Sequence, residues 1–342
     1  MKTRIFDRLP DGAAVTAYRL DGSKGAYVEI LDYGAIILGI HVPDRDGILR
    51  DVTLGHDEIL PYTTTEAYFG ATVGRHANRI GYGKFTLNGV EYTLDVNNGP
   101  HHLHGGFSGY NFRFYQVEEV EDGIRCSLHS PEGDQGYPGN FDFSVTFRFT
   151  KDNALHILYE GVSDRDTVVN LTNHSYFDLS AGEDPQGQKL WLEAEYFTEN
   201  DENNLPTGKV LPVKGTAFDF TVEKAVGQDN HAPEEQIKRC KGYDHNFVLT
   251  GKHEWFGRLR SEATGIRMAV KTDLPGVQLY GANFTGGNVG KGGRVYKDYD
   301  AVCLETQFFP NAINTEGFEA PILKAGEKYR HETVYWFTVE EE

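Results

Sequence analysis

The densest group of proton carriers in the chain lies in residues 97–106, NNGPHHLHGG, where His101, His102 and His104 stand among glycines. An imidazole with an ordinary pKa of about 6.5 can shuttle protons, ligate a metal or simply pack, so residue type alone leaves three roles open. On a strand, positions i and i+2 face the same way, which would aim His102 and His104 at one ion. Against a metal, the neighbouring Gly and Pro predict a loop, and no further His-x-His or carboxylate cluster lies nearby in the sequence.

Two other segments carry groups of the same kind. In VVNLTNHSYFDLSAG, alternation from Asn170 predicts a strand with Asn170, Thr172, His174, Tyr176 and Asp178 on one face and Val169, Leu171 and Phe177 on the other. A solvent-facing sheet surface usually carries Lys, Glu and Thr, so Asn, His and Tyr together fit a concave site that binds hydroxyls better. In DAVCLETQFFPNAIN, Glu305 sits inside an apolar run beside Leu304, Phe308 and Phe309. A carboxylate there is costly unless paired or protonated, and desolvation raises its pKa from about 4.3 toward what a general base needs. Arg79 in HANRIGYG and Asp244 in GYDHNF, on their own, read equally well as a surface charge, a turn residue or a substrate contact.

The elements that must position these groups read as strands. Asn88-Gly89 in KFTLNGVEYTL divides two alternating runs and predicts a two-residue type I′ hairpin. FDFSVTFRFT places Phe141, Phe143, Val145, Phe147 and Phe149 on one face and polar residues on the other. Helical periodicity is scarce, with the short APEEQIKRC the best candidate, so the crossover helices that a parallel sheet needs are missing. The prediction is an all-β fold, a large antiparallel β-sandwich or distorted barrel, with residues 1–342 as one domain in the absence of linkers or repeats. Residues 198–229, rich in turn formers, predict a long surface excursion.

Composition narrows the partners. With 33 Lys and Arg against 51 Asp and Glu, the net charge is −18, a field that repels nucleic acid and anionic lipid. No apolar run approaches the roughly 18 residues of a membrane span, and the first twenty residues lack a signal-like apolar stretch. Three widely spaced cysteines, Cys126, Cys240 and Cys303, offer neither a disulfide framework nor a thiolate metal site, which predicts a cytoplasmic protein. The glycine-rich segments GANFTGGNVGKGG and GRHANRIGYGKF match neither phosphate-loop nor dinucleotide spacing, so no nucleotide cofactor is expected.

Five segments in fixed order, NRIGYGKFTLNGVEYTLDVNNGPHHLHGG, NLTNHSYFDLSAG, YDHNFVL, PGVQLYGANF and ETQFFPNAIN, closely resemble the aldose 1-epimerases, also called galactose mutarotases. The resemblance spans about residues 10–339 and implies a β-sandwich with a broad open cleft, no metal and no organic cofactor. It implies interconversion of the α and β anomers of free hexoses such as galactose and glucose, by a monomer or homodimer. By motif, Glu305 is implied as the base, His174 as the acid and His104 as its partner on the sugar. Asn78, Arg79, Asp244 and Gln278 are implied as contacts to sugar hydroxyls, while His101 and His102 are left to loop packing. Three rivals remain at this level: a non-catalytic carbohydrate-binding sandwich, a metal enzyme ligated by His104, His174 and Glu305, and an epimerase of another aldose or of a hexose phosphate. The last is poorly matched, since Arg79 is the only arginine placed in the site.

Overall fold

Strands Lys84–Leu87 and Val90–Thr93 pair in register across Asn88 and Gly89, both at positive φ (51° and 78°), as a type I′ turn requires. A computed structural model describes residues 1–340; residues 341 and 342, the end of the acidic run at the C-terminus, lie outside the described residues.

Three antiparallel sheets dominate. The first five strands, from Lys2–Arg8 to Leu49–Asp51, pair in sequence order. A nine-stranded sheet is built around Phe141–Phe149, Ala154–Ser163, Lys328–Val339 and Ile266–Thr272. A six-stranded sheet runs in the order Tyr176–Phe177, Val302–Gln307, Gly276–Tyr280, Asp244–Val248, Tyr196–Asn200 and Pro206–Pro212. The all-β expectation thus holds, and the sheets are open rather than closed into a barrel. The helical expectation holds too, as Glu235–Cys240. Among the described residues, no helix is long and apolar enough to cross a membrane.

The Phe141–Phe149 strand follows its period-2 pattern, with Phe141, Phe143, Val145, Phe147 and Phe149 all buried. They join Ile157, Met268 and Tyr335 from the same sheet, and Phe247, Leu279 and Leu304 from the six-stranded one, in one apolar cluster. Each such side chain contributes about 1.5–3 kcal/mol when fully buried, so the facing apolar surfaces fix how the sheets stack. Alternation then turns the other face of the six-stranded sheet, with Asp244, Gln278 and Glu305, away from the core.

Residues 198–229 depart from expectation. They are not an irregular excursion: Pro206–Pro212 pairs with Tyr196–Asn200 as the edge of the six-stranded sheet. Proline at both ends of that strand is tolerated because an edge strand has one row of N–H groups without a partner strand.

Candidate active site

Glu305 occupies the middle of Val302–Gln307, a strand buried at every position. It stands opposite Gln278 in register, and Gln278 stands opposite Asn246. The walls of a cleft of about 630 Å³ above this face include Tyr68, Asn78, Arg79, His104, His174, Asp244 and Glu305. Six of the seven site residues implied by motif therefore meet in one hollow.

Gln278 is the exception. Instead of lining the cleft, its Nε2 donates to Asp244 Oδ1 (2.7 Å), and its Oε1 accepts from Gln307 Nε2 (3.1 Å). It orients Asp244 from beneath.

His174 arrives by a less regular route than alternation predicts. Residues 170–178 are not one strand: Thr172–Asn173 pairs with Thr72–Val73, the chain turns, and Tyr176–Phe177 pairs with Val302 and Cys303. Of the five residues expected on one face, only His174 and Tyr176 line the cleft. Asn170 bonds the backbone of Phe308 through its amide, and Asp178 accepts from Ser180 and Arg294.

The histidine-rich loop splits its imidazoles in the same way. His102 lies in the short strand His102–Leu103, but the next residue, His104, has φ +51°, so the two do not share a face. The turn needs glycine: a Cβ at Gly105 would lie 1.9 Å from the Gly74 carbonyl oxygen. His102 is fixed between the Asp95 carbonyl (2.7 Å) and the Tyr137 hydroxyl (2.7 Å), and His101 Nδ1 accepts from the Tyr82 N–H (3.1 Å). Both are packing residues. His104 Nδ1 accepts from the Asn78 N–H (3.1 Å), while the His104 N–H donates to the Asn78 carbonyl (3.1 Å). Since that amide can only donate, the neutral ring must carry its proton on Nε2.

His174 Nε2 lies 3.6 Å from Glu305 Oε1, and the His104 and His174 rings meet edge to face at 5.4 Å. Among the described residues, neither Glu305 Oε2 nor His174 Nδ1 has a hydrogen-bond partner on another residue. Burial pushes the Glu305 carboxyl well above its ordinary range; the charge of Asp244 adds to this and Arg79 opposes it. Burial pulls His174 down to about 4 and His104 well below its ordinary value, the latter with help from His174 and Arg79. Burial thus favours the uncharged form of both side chains.

His104, His174 and Glu305 each bring a ligand atom within 4.8 Å of the others, so the metal alternative has the right residue types. The donor geometry is wrong. A metal at His104 Nε2 requires a proton on Nδ1 with an acceptor behind it, and the Asn78 amide puts a donor there instead.

Sequence reasoning missed Tyr68 and Arg239, which also line the cleft. Arg239 gives the hexose phosphate alternative a second arginine, yet its guanidinium is engaged by the Asn200 carbonyl (2.6 Å) and by Glu235. Arg239 lies on the predicted helix, whose pattern does not say which side meets the cleft, and Tyr68 stands outside the regular strands, where no periodic signal marks it.

Residues 16–336 match the family model described as aldose 1-epimerase. The chain belongs to the aldose 1-epimerase family. It is 41% identical to galactose mutarotase of Sus scrofa and 38% identical to aldose 1-epimerase of Haemophilus influenzae. These alignments cover 98% of both chains in the first case, and 96% of this chain and 97% of the relative in the second. A solved aldose epimerase homologue from C. elegans superposes with a TM-score of 0.89 at 32% identity, over 95% of this chain and 99% of the other. The galactose 1-epimerase of Lactobacillus acidophilus superposes with a TM-score of 0.87 at 29% identity, over 99% of each. As a member of this family the protein is an isomerase acting on the anomeric centre of aldoses.

Proposed function

We propose that this aldose 1-epimerase opens and recloses free hexoses, galactose and glucose among them, with Glu305 and His174 as its base and acid. Glu305 withdraws the proton of the anomeric hydroxyl, the bond from C1 to the ring oxygen breaks, and His174 protonates that oxygen. The aldehyde turns by about half a rotation, and the same groups return their protons as the hydroxyl closes on the other face. His104, with its proton on Nε2, offers a second donor toward the ring oxygen as charge builds there. Arg79, Asn78 and Asp244 bind hydroxyls, and Gln278 acts through Asp244.

The observation that carries this proposal is the 3.6 Å between His174 Nε2 and Glu305 Oε1. The two oxygens that exchange protons share one carbon, so an acid and a base this close can reach both. The two halves of the cycle use the pair in opposite states: carboxylate with imidazolium opens the ring, and carboxylic acid with neutral imidazole closes it. Each proton-transfer group is worth a factor of about 100 to 10,000, or roughly 2.7–5.5 kcal/mol of barrier.

One domain accounts for the contiguous apolar cluster that joins all three large sheets. A cytoplasmic setting suits three buried free cysteines. Monomer or homodimer is the assembly we expect.

Polarimetry on freshly dissolved α-galactose tests the function. We expect accelerated equilibration that survives prior treatment with a chelator. Binding without acceleration would instead identify a carbohydrate-binding sandwich, and loss on chelation would restore the metal alternative. Parallel traces for glucose, xylose and arabinose rank the sugars.

A further inference from the structure

A histidine that donates a proton is ordinarily aimed by a hydrogen bond at its other ring nitrogen. His174 has none from another residue: Nδ1 is buried, and the only acceptor beside the ring is the main chain of His174 itself. What it has instead is aromatic surface. The ring of Tyr176 lies near-parallel to the imidazole at 5.0 Å and 22°, and that of Tyr68 at 5.9 Å and 19°. Tyr68 also leans on His104 at 4.7 Å.

The chain goes to some trouble to put Tyr68 there. Tyr68 is held at φ +56°, a left-handed conformation that a bulky residue rarely adopts. Its segment is laced to the His174 segment at four points. The Gly70 N–H donates to the His174 carbonyl (2.9 Å), and the His174 N–H donates to the Ala71 carbonyl (2.9 Å). Asn173 Nδ2 donates to the Gly70 carbonyl (2.8 Å), and the Tyr176 hydroxyl to the Ala67 carbonyl (2.7 Å). Gly70 itself permits the close passage, since a Cβ there would lie 2.2 Å from the Ile37 carbonyl oxygen.

We propose that Tyr68 and Tyr176 are positioning residues that hold the His174 imidazole by stacking in place of a hydrogen bond. A fixed acceptor at Nδ1 would favour one protonation state of the ring; a stacked ring keeps its orientation whether Nε2 is protonated or bare. Ring faces also attract the imidazolium when it forms, which offsets part of the cost of charging a buried group. The proposal rests on the acid role of His174 given above.

The experiment compares Tyr68→Phe, Tyr68→Leu and His174→Asn by polarimetry, with circular dichroism on each. Phe keeps the ring and loses the hydroxyl, so kcat is expected within about threefold of the parent. Leu loses the stack, and a misaimed acid should lower kcat by about 10- to 100-fold with KM within about threefold. A Leu variant with parental kcat, a Phe variant as impaired as Leu, or a loss confined to KM would each overturn the positioning role. If His174→Asn keeps the parental rate, the acid assignment has failed; if His174→Asn is inactive while Tyr68→Leu is not, the stack alone has failed. Should the Leu variant not fold, ¹⁵N NMR of histidine-labelled parent protein decides: His174 Nδ1 is expected without a strong hydrogen bond, and finding one overturns the proposal.

Discussion

The nine-stranded and six-stranded sheets are built on the same rule and end in opposite chemistry. Each alternates apolar and polar residues, and each sends its apolar face into the shared core. In the nine-stranded sheet the polar face meets water: Asp142 is 77% exposed and pairs with an exposed His129 at 2.7 Å. In the six-stranded sheet the polar face lies beneath a cleft, where Glu305 is 2% exposed. A carboxylate in water keeps its hydration, whereas the carboxyl in the cleft has lost it and its affinity for a proton rises. Reactivity here comes from the covering of a polar sheet face rather than from an unusual residue.

The strongest way to break that contrast is to remove the charge where it is buried. Glu305→Gln and His174→Asn are each expected to lower kcat for anomer equilibration by about 100- to 10,000-fold while the fold, read by circular dichroism, is kept. A parental rate in either variant removes that residue from the chemistry.

The same contrast explains what could be read in advance. Phe141–Phe149 was legible because one face is core and the other solvent, so period 2 survives without interruption. Glu305 was legible as a carboxylate among apolar neighbours, and the Asn88-Gly89 hairpin because few dipeptides accept two positive φ angles. Around the cleft the pattern misleads. Residues 170–178 alternate in sequence but break at His174 and Ser175, because that segment serves two different partner strands. The cross-strand bond that draws Gln278 to Asp244 depends on register between strands, which no local pattern encodes. Tyr68 owes its place to a left-handed backbone position that its side chain does not advertise.

Acid sharpens the comparison further, since burial without a cleft affects imidazoles just as burial with one affects Glu305. His76 and His245 are pulled down to about 3, and His102 to about 4, chiefly by burial. Unfolded, each titrates near 6.5, so below that pH the unfolded chain binds more protons than the folded one. Their contribution is fully present above about pH 6.5 and is lost as the pH falls toward 4 and 3. Each costs roughly 1.4 kcal/mol per pH unit in that window. Scanning calorimetry should therefore show Tm falling from pH 7 to pH 5; a constant Tm would mean that these rings are protonated, or exposed, in the folded protein.

The smallest effect is expected from repeating the carboxylate-to-amide change on the wet sheet face. Asp142→Asn alters the same functional group as Glu305→Gln, within a strand of the same kind, but the carboxylate it removes is hydrated and its ion pair with His129 is open to solvent. Such pairs contribute about 0–1 kcal/mol, so stability should move by about 0.5 kcal/mol or less. The rate of anomer equilibration should match the parent. Two amides of identical chemistry would then differ by at least about 100-fold in rate, and the difference would belong to the covering of the sheet. If Asp142→Asn slowed the reaction appreciably, the two faces would be coupled through the shared core, and desolvation at the cleft would no longer suffice to explain where the chemistry resides.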